Sequence, residues 1–143
     1  MRLMQGSVAE KFVGFYSARE YNLKKLTAGK QSSLEIGRAC VDINYRGGIA
    51  IHTLWLGLAK YIVSRGVTLM FGVASFHGND VSQVGSALTL LKEKFSAPKH
   101  YEFKAKKPGY IDMNIVSFDR LDHKIAMEQI PNLLKLYLRM GAK

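Results

Sequence analysis

The feature that most constrains the fold is a long helical pattern enclosed by two apolar segments. Residues 49–65 place apolar side chains at helical spacing, and Gly66 follows them as a C-terminal cap. Residues 34–43 alternate between apolar and polar, and residues 67–76 form an apolar, partly β-branched run. A strand, a helix and a strand in this order predict neighbouring parallel strands joined by a right-handed crossover. The sequence therefore predicts an α+β fold close to the α/β class.

Glycines interrupt both predicted strands, and a second helix follows them. Gly37 lies in the first strand and Gly72 in the second, where each favours a bulge or a close backbone approach. Residues 81–95 have a helical pattern, and Asn79 or Asp80 can cap its N-terminus. The centre of the chain is therefore predicted to alternate strand, helix, strand and helix.

The C-terminal part of the chain contains one ambiguous segment and one clear helix. Residues 110–118 alternate weakly and fit either a strand or a loop. Residues 131–140 are predicted to form a helix with Pro131 in its first turn and Gly141 after its end. The sequence shows no internal repeat and no linker, so residues 1–143 are predicted to form a single domain.

The charge balance predicts an anionic partner. Lys and Arg total 21 against 11 Asp and Glu, which gives a net charge of +10. The lysine-rich loop of residues 96–109 interleaves basic and aromatic side chains. Such a loop suits nucleic acid, an anionic membrane surface or an acidic protein. A solvated basic face without a specific partner is the alternative.

The sequence favours a cytoplasmic location. No apolar run approaches the roughly 20 residues that a membrane-spanning helix needs, and Met1 is followed by no signal-peptide pattern. Cys40 is the single cysteine, so an internal disulfide is excluded. A peripheral contact with the anionic inner membrane is a second expectation.

A carboxylate and a guanidinium group lie three residues apart in the first predicted strand. On a regular strand Glu35 and Arg38 would face opposite sides of the sheet, and a bulge at Gly37 could bring them to one face. Glu35 could then accept a proton from an amine, and Arg38 could bind a carboxylate in a bidentate manner. A surface ion pair is the simpler interpretation of the same residues.

The turn Tyr45-Arg46-Gly47-Gly48 precedes the long helix. Its glycines let the backbone approach a ligand, and the helix N-terminus directs free N–H groups outward, so the turn could bind phosphate. It matches neither the Walker pattern nor GxGxxG, and an ordinary turn is the alternative.

Other reactive residue types are assigned structural roles. His52 and His77 have no partner at metal-ligand spacing, so no metal site is expected. Cys40 is expected to be a buried thiol. Ser75 lacks the flanking glycines of a nucleophile elbow.

Six ordered segments together resemble the L-ornithine N-alpha-acyltransferase family, which is often labelled hemolysin-like and has a GNAT-like fold. The resemblance covers nearly the whole chain, and the order and spacing of the segments are more specific than any one of them. The Glu-x-x-Arg spacing also resembles that of homoserine-lactone autoinducer synthases. The segments are Gly14-Phe15-Tyr16-Ser17, Leu34-Glu35-Ile36-Gly37-Arg38-Ala39-Cys40-Val41, Tyr45-Arg46, Leu54-Trp55-Leu56-Gly57-Leu58-Ala59-Lys60-Tyr61, Phe71-Gly72-Val73-Ala74-Ser75-Phe76 and Tyr137-Leu138-Arg139-Met140-Gly141-Ala142.

The resemblance implies a reaction and its partners. A 3-hydroxyacyl group would move from the phosphopantetheine thioester of acyl carrier protein to the α-amine of ornithine, giving lyso-ornithine lipid. The thioester is a co-substrate, so no bound cofactor is implied. Acyl carrier protein and ornithine are the expected partners, and nucleic acid is not.

The resemblance also implies roles for residues of the amine site. Glu35 would act as the base or position the amine, directly or through water. Arg38 would hold a substrate carboxylate or order Glu35. Arg2 resembles the arginine of a family strand and is expected to bind substrate, together with Ser75 and Phe76.

In GNAT-like folds two neighbouring strands splay apart and the pantetheine arm enters between them. Here residues 34–43 and 67–76 would be those strands, with Gly37 and Gly72 permitting the splay. Arg46, Gly48 and Ala50 approximate the usual phosphate signature without matching its spacing, which suits a carrier protein better than free coenzyme A. The pantetheine-binding residues expected from the resemblance are Tyr45, Arg46, Gly47, Gly48 and Gly72.

The family has strands before Met1 and after Lys143, so the chain is expected to be a partial GNAT-like domain with a central mixed sheet flanked by helices. Three rival functions stay open: an inactive relative that binds acyl carrier protein or an anionic membrane, an autoinducer synthase, and nucleic-acid binding through the lysine-rich loop. The acyl length, the amine acceptor and the oligomeric state do not follow from the sequence.

Overall fold

Short strands and helices alternate along the chain. The computed structural model of the protein describes residues 1–27, 29, 31–78 and 80–143. The helices and strands in chain order are β1 (Arg2–Gln5), α1 (Gly6–Ala9), β2 (Tyr21–Asn22), α2 (Lys24–Thr27), β3 (Ser33–Gly37), α3 (Ala50–Arg65), β4 (Leu69–Phe71), α4 (Gly85–Phe95), β5 (Lys104–Ala105), α5 (His123–Gln129) and α6 (Asn132–Arg139). Short 3-10 turns cover Tyr16–Arg19, Ile43–Tyr45, Val81–Val84 and Phe118–Arg120.

The described chain divides into two compact units, Met1–Val73 and Ala74–Lys143. The first unit contains a three-stranded sheet with β3 in the middle, β1 antiparallel to it and β4 parallel to it. The parallel pair joined by α3 confirms the predicted strand–helix–strand unit. The mixed sheet with helices confirms the predicted α+β fold class, and the organisation as a single domain stays a prediction.

The pairing of β1 with β3 separates an apolar face of the sheet from a polar one. Leu3 lies opposite Ile36, and Met4 lies opposite Glu35. Residues opposite each other share a face, and neighbours along a strand face opposite sides. Leu3 and Ile36 therefore lie on one face, whereas Glu35 lies on the other face, as does Arg2.

The long central helix follows its prediction closely. It spans Ala50–Arg65, one residue shorter than predicted, and Leu58 is its buried residue. Gly66 ends the helix with a left-handed φ of 58°, and its N–H donates to the carbonyls of Ile62 and Val63. A residue with a Cβ is disfavoured in this conformation, so the predicted glycine cap is confirmed.

Both strands beside this helix are shorter than predicted. β3 ends at Gly37, because Arg38 adopts a left-handed φ of 50° that an extended strand cannot contain. The prediction of a strand with a bulge at residues 34–43 was therefore wrong beyond Gly37. The predicted buried strand at residues 67–76 is reduced to β4, at the edge of the sheet, and Met70 in its middle is 42% exposed.

The second unit packs α4 against α5. Its predicted helix begins as a 3-10 turn at Val81 and continues as α4. The Asp80 carboxylate accepts hydrogen bonds from the Ser82 hydroxyl, the Ser82 N–H and the Gln83 side chain, which lower the pKa of Asp80. Asp80 is thus the predicted cap, and Asn79 lies outside the described residues. The core of this unit is formed by Ala87, Leu90, Leu121, Ala126 and Ile130.

Residues 110–118, which the sequence left open as a strand or a loop, form a loop that is hydrogen-bonded to α4. Buried Thr89 donates its hydroxyl to the carbonyl of Met113 and accepts the N–H groups of Ile115 and Val116. One side chain therefore satisfies three backbone groups of a segment that has no strand pairing.

A helix that the sequence analysis missed follows this loop, and the final helix agrees with its prediction. Asp122 caps α5, because its carboxylate accepts the N–H groups of Lys124 and Ile125. α6 begins after Pro131 and is followed by Gly141 with a left-handed φ of 91°. The predicted proline start and glycine stop of the last helix are confirmed.

The close approach of β4 to β3 gives a stability prediction. A Cβ on Gly72 would lie 2.4 Å from the Ile36 carbonyl oxygen, so Gly72→Ala must displace backbone and is expected to cost about 1–3 kcal/mol. The matched control is Gly57→Ala in α3, whose Cβ would meet no atom within 4 Å; we expect it to gain about 0.5–1 kcal/mol. Urea unfolding followed by the fluorescence of the single tryptophan, Trp55, measures both changes. Equal stability of Gly72→Ala and the parent would contradict the close contact.

Candidate active site

A buried carboxylate lies at the centre of the candidate site. Glu35 is in the middle of β3, and its side chain is only 2% exposed. Its Oε2 accepts hydrogen bonds from Arg2 Nη2 at 3.1 Å and the Tyr16 N–H at 2.9 Å. Its Oε1 accepts hydrogen bonds from the Ser17 N–H at 2.7 Å and the Ser17 hydroxyl. Three segments of the first unit therefore meet at one side chain.

The local structure explains why these donors face Glu35. Arg2 lies opposite Gly37 on β1, two residues along from the Met4–Glu35 pair, so Arg2 and Glu35 share a face. Tyr16 and Ser17 begin a 3-10 turn, and the first N–H groups of such a turn have no partner within it. The carboxylate supplies their acceptor.

The contacts of Glu35 bear on the chemistry that it can perform. A carboxylate has about four lone-pair positions, and four donors contact this one. A buried charge is tolerated when it is paired and hydrogen-bonded in this way. Accepting a proton from an amine would require one of these contacts to open. The geometry therefore favours a positioning role, and the role of general base stays a prediction.

One nitrogen of the Arg2 guanidinium group is hydrogen-bonded to Glu35, and another has no hydrogen-bond partner among the described residues. Its Nη2 pairs with Glu35, and its side chain is 32% exposed. Its Nε is buried and has no hydrogen-bond partner among the described residues. Its guanidinium carbon lies 5.0 Å from the centroid of the Tyr16 ring, and that of Arg19 lies 5.5 Å from the same centroid. Two guanidinium groups around one aromatic ring, of which Arg2 alone pairs with Glu35, give this region a positive charge that suits a carboxylate ligand.

Arg38 lies apart from this network. It follows the last residue of β3 and is exposed. Among the described residues, the ion pair of Glu35 is formed with Arg2. The expected bulge that would bring Arg38 beside Glu35 is therefore replaced by the end of the strand, because Arg38 itself has the left-handed backbone. A role for Arg38 in binding a substrate carboxylate stays a prediction.

The turn before α3 lies in the same unit and is exposed. Tyr45 ends a 3-10 turn, and Arg46 donates its Nε–H to the Val41 carbonyl at 3.0 Å. Gly47 has a left-handed φ of 78°, and Gly48 leads into the helix. The two glycines thus form a tight turn, as predicted, and their contact with pantetheine stays a prediction.

The remaining predicted site residues lie around β4 and beyond it. Pairing of β3 with β4 ends at the Glu35–Phe71 pair, and Gly72 still lies against the backbone of Ile36. A cleft between these strands would begin only beyond this contact, and the splay of the two strands stays a prediction. Ser75 is exposed in the second unit, and Phe76 packs against the core of that unit.

The sequence analysis assigned no role to Tyr16, Ser17 or Arg19. Ser17 is buried and gives two of the four contacts to Glu35. The available signal was the carboxylate itself, because a glutamate in a predicted core strand requires several donors. Ser17 is 18 residues from Glu35 in sequence, so spacing alone does not connect them.

Neither a metal-binding cluster nor a membrane-spanning helix occurs among the described residues. They contain no group of three or more His, Cys, Asp or Glu placed to hold a metal ion. Their helices include none with the length and apolar character needed to cross a membrane.

The part of the chain that contains this network matches a known domain. Residues 1–56 match the acetyltransferase (GNAT) domain family. These residues include β1, the Tyr16–Ser17 turn, β3 and the start of α3. This part of the chain is therefore similar to GNAT-type acyltransferase domains, as the sequence predicted.

Curated relatives narrow the class further. The chain is 38% identical over 140 residues to the L-ornithine N(alpha)-acyltransferase of Rhodobacter capsulatus, covering 98% of this chain and 53% of that protein. Proteins of the same name from Brucella abortus and Rhizobium meliloti are 35% and 33% identical, covering 99% of this chain and 51% and 48% of their own lengths. The chain is therefore homologous to the L-ornithine N(alpha)-acyltransferases, which confirms the resemblance seen in the sequence. It spans about half the length of these relatives, and no solved structure matches it significantly.

The burial of Glu35 gives a prediction about stability. Glu35→Gln removes the charge that pairs with Arg2 and places an amide N–H₂ among donors, so we expect a loss of about 1–3 kcal/mol. Glu102→Gln is the matched control, because the Lys92–Glu102 pair is long, at 3.7 Å, and solvent-exposed. We expect this control to cost less than about 1 kcal/mol. Urea midpoints measure both, and equal effects would contradict the anchoring role of Glu35.

Proposed function

We propose that the chain is part of an N-acyltransferase that moves an acyl group from acyl carrier protein to the α-amine of ornithine, giving a lyso-ornithine lipid. The supporting observation is the similarity of almost the whole chain to several proteins named L-ornithine N(alpha)-acyltransferase. The match of residues 1–56 to a GNAT domain supports the same reaction class. Because the chain spans about half of these relatives, the activity of the complete protein is part of the proposal.

The chemistry is an aminolysis of a thioester. The neutral amine attacks the carbonyl carbon, a carbon–nitrogen bond forms and the carbon–sulfur bond breaks. The proton lost by nitrogen is transferred to the departing thiolate. We assign stabilisation of the oxyanion to N–H groups near the end of β3, where pairing with β4 has ended.

We assign recognition of the ornithine carboxylate to Arg2. Its guanidinium group is held by Glu35, yet one third of the side chain stays exposed at 32% and the Nε lacks a partner among the described residues. A guanidinium group can bind a carboxylate through two parallel hydrogen bonds. Glu35 then acts as a positioning residue that fixes Arg2 and the Tyr16–Ser17 turn.

Acceptor specificity tests this assignment. We expect Arg2→Lys to lower the ratio of kcat/KM for ornithine to kcat/KM for 1,4-diaminobutane by about tenfold. The reason is that Arg2 would bind the carboxylate of ornithine, which the diamine lacks. The control is Arg65→Lys, since Arg65 also lies over a tyrosine ring, at 5.8 Å from the Tyr61 centroid. Acylated products are quantified by mass spectrometry with acyl carrier thioester as donor. A ratio that does not change in Arg2→Lys would remove Arg2 from acceptor recognition.

The alternative function is that of a binding module without turnover. The net charge of +10 supports this alternative, because it suits the binding of an acidic protein. A chain that binds acyl carrier protein but forms no acylated ornithine would support this alternative. Mass spectrometry of the acylated products therefore distinguishes the transferase from the binding module.

The basic charge predicts salt-sensitive binding to acyl carrier protein. Lys104, in the short strand β5, and Lys107 are both exposed between α4 and α5, and acyl carrier proteins are acidic. We expect affinity to fall about tenfold or more between 50 and 500 mM salt, because exposed charges are screened. Reversal of both lysines to Glu should weaken binding more than Lys11→Glu, a reversal at another exposed site. A salt-independent affinity would contradict electrostatic docking, and contact of these lysines with an anionic membrane stays a prediction.

A further inference from the structure

We propose that an apolar groove between β1 and α3 holds the hydrocarbon chain of the acyl thioester. This inference rests on the proposed acyl transfer and assigns the acyl substrate a site of its own. The groove has a volume of about 600 Å³, within the range of small-molecule sites. Its lining residues are Met1, Leu3, Cys40, Val41, Asp42, Tyr45, Ala50, Thr53, Leu54, Gly57 and Leu58.

The alternation of β1 explains why the groove is apolar. Leu3 lines the groove, whereas its neighbour Arg2 contacts Glu35 on the other face of the sheet. The opposite wall is α3, where Ala50 and Gly57 are small residues seven positions apart on one side of the helix. A Cβ on Gly57 would meet no atom within 4 Å, so space lies open above it.

The chemistry of the lining favours a hydrocarbon over a polar ligand. Asp42 is the one lining residue with a charged side chain, and the other oxygen-bearing side chains are Tyr45 and Thr53. The remaining lining side chains are apolar or small, and none carries a guanidinium or ammonium group that would bind a phosphate or carboxylate. From Ala50 to Leu58 the groove follows α3 for about 12 Å, which suits an extended chain.

The position of the groove suits a chain that leads to the amine site. Cys40, Val41 and Asp42 line the groove and follow the end of β3 by a few residues. The same strand carries Glu35, which binds Arg2 on the polar face. A thioester that passes the end of β3 would therefore have its hydrocarbon on the apolar face and its carbonyl near the polar face.

Cys40 provides a direct reporter for this site. It lines the groove, its thiol is free and exposed, and it is the single cysteine of the chain. The expectation of a buried thiol was therefore wrong, because the strand that would have buried it ends at Gly37. Alkylation of the protein by iodoacetamide consequently measures the accessibility of this one position.

The experiment compares alkylation rates with long and short acyl chains. We expect hexadecanoyl-pantetheine, below its micelle concentration, to slow Cys40 alkylation by at least about fivefold, because the bound chain covers the thiol. Acetyl-pantetheine has the same head group and should leave the rate unchanged. An unchanged alkylation rate with hexadecanoyl-pantetheine would overturn the proposal, and so would equal slowing by both thioesters.

A pair of variants tests the location independently. Gly57→Leu fills the open space above α3 and should remove the protection at Cys40, and leucine is a better helix former than glycine. Ala59→Leu is the matched control, because Ala59 is exposed on the same helix outside the groove. Circular dichroism checks that both variants keep their helix content. Protection that persists in Gly57→Leu would overturn the assignment.

Two further outcomes separate this inference from its alternatives. Protection that rises with protein concentration in the absence of thioester would show that a second copy covers the groove, which overturns the proposal. The measurement contains no ornithine and needs no turnover. If Cys40 is protected but no acylated ornithine forms in the activity assay, the groove is supported and the proposed transferase activity is contradicted. If acylated ornithine forms but Cys40 is not protected, the transferase activity is supported and the groove is contradicted.

Discussion

The burial of one carboxylate determines how the first unit is assembled. A charge on a central strand is tolerated when donors surround it, and Glu35 obtains them from Arg2, Tyr16 and Ser17. These residues belong to an edge strand and a 3-10 turn that would otherwise have little reason to meet. A sheet of short strands has little apolar packing to stabilise it. The hydrogen bonds of the carboxylate therefore contribute part of the stabilisation of this unit. The network of Glu35 also holds Arg2 in place while about a third of that side chain, 32%, stays exposed, an arrangement that suits recognition of a small anion.

The two faces of the β1–β3 pair differ in chemical character. Because the side chains of a strand alternate, Arg2 and Leu3 lie on opposite faces although they are adjacent in sequence. One face carries a charged network suited to an amino acid, and the other carries an apolar groove suited to a lipid chain. The proposed reaction joins a polar acceptor to a hydrocarbon, and a thin sheet would separate these two proposed substrates with few residues.

Patterns within one element could be predicted from the sequence, whereas contacts between distant segments could not. α3 and its cap at Gly66 follow from local spacing and from glycine stereochemistry, and both agree with the structure. The length of β3 was misjudged because alternation continues past Gly37, although Arg38 turns left-handed there. The donors of Glu35 lie between 18 and 33 residues away in sequence, so only the fold reveals them. Recognition of the family came from the order of several segments, and it did not depend on locating the ion pair.

The three-stranded sheet has a consequence for how such a unit can grow. β1 and β4 are its outer strands, so each keeps one row of backbone donors and acceptors outside the sheet's own pairing. Additional strands can extend the sheet by β-augmentation at either side without entering the middle strand, where Glu35 lies. Growth at the outer edges therefore leaves the contact between Arg2 on β1 and Glu35 on β3 unchanged. Lineages could lengthen the sheet while the residues around the carboxylate remain the same.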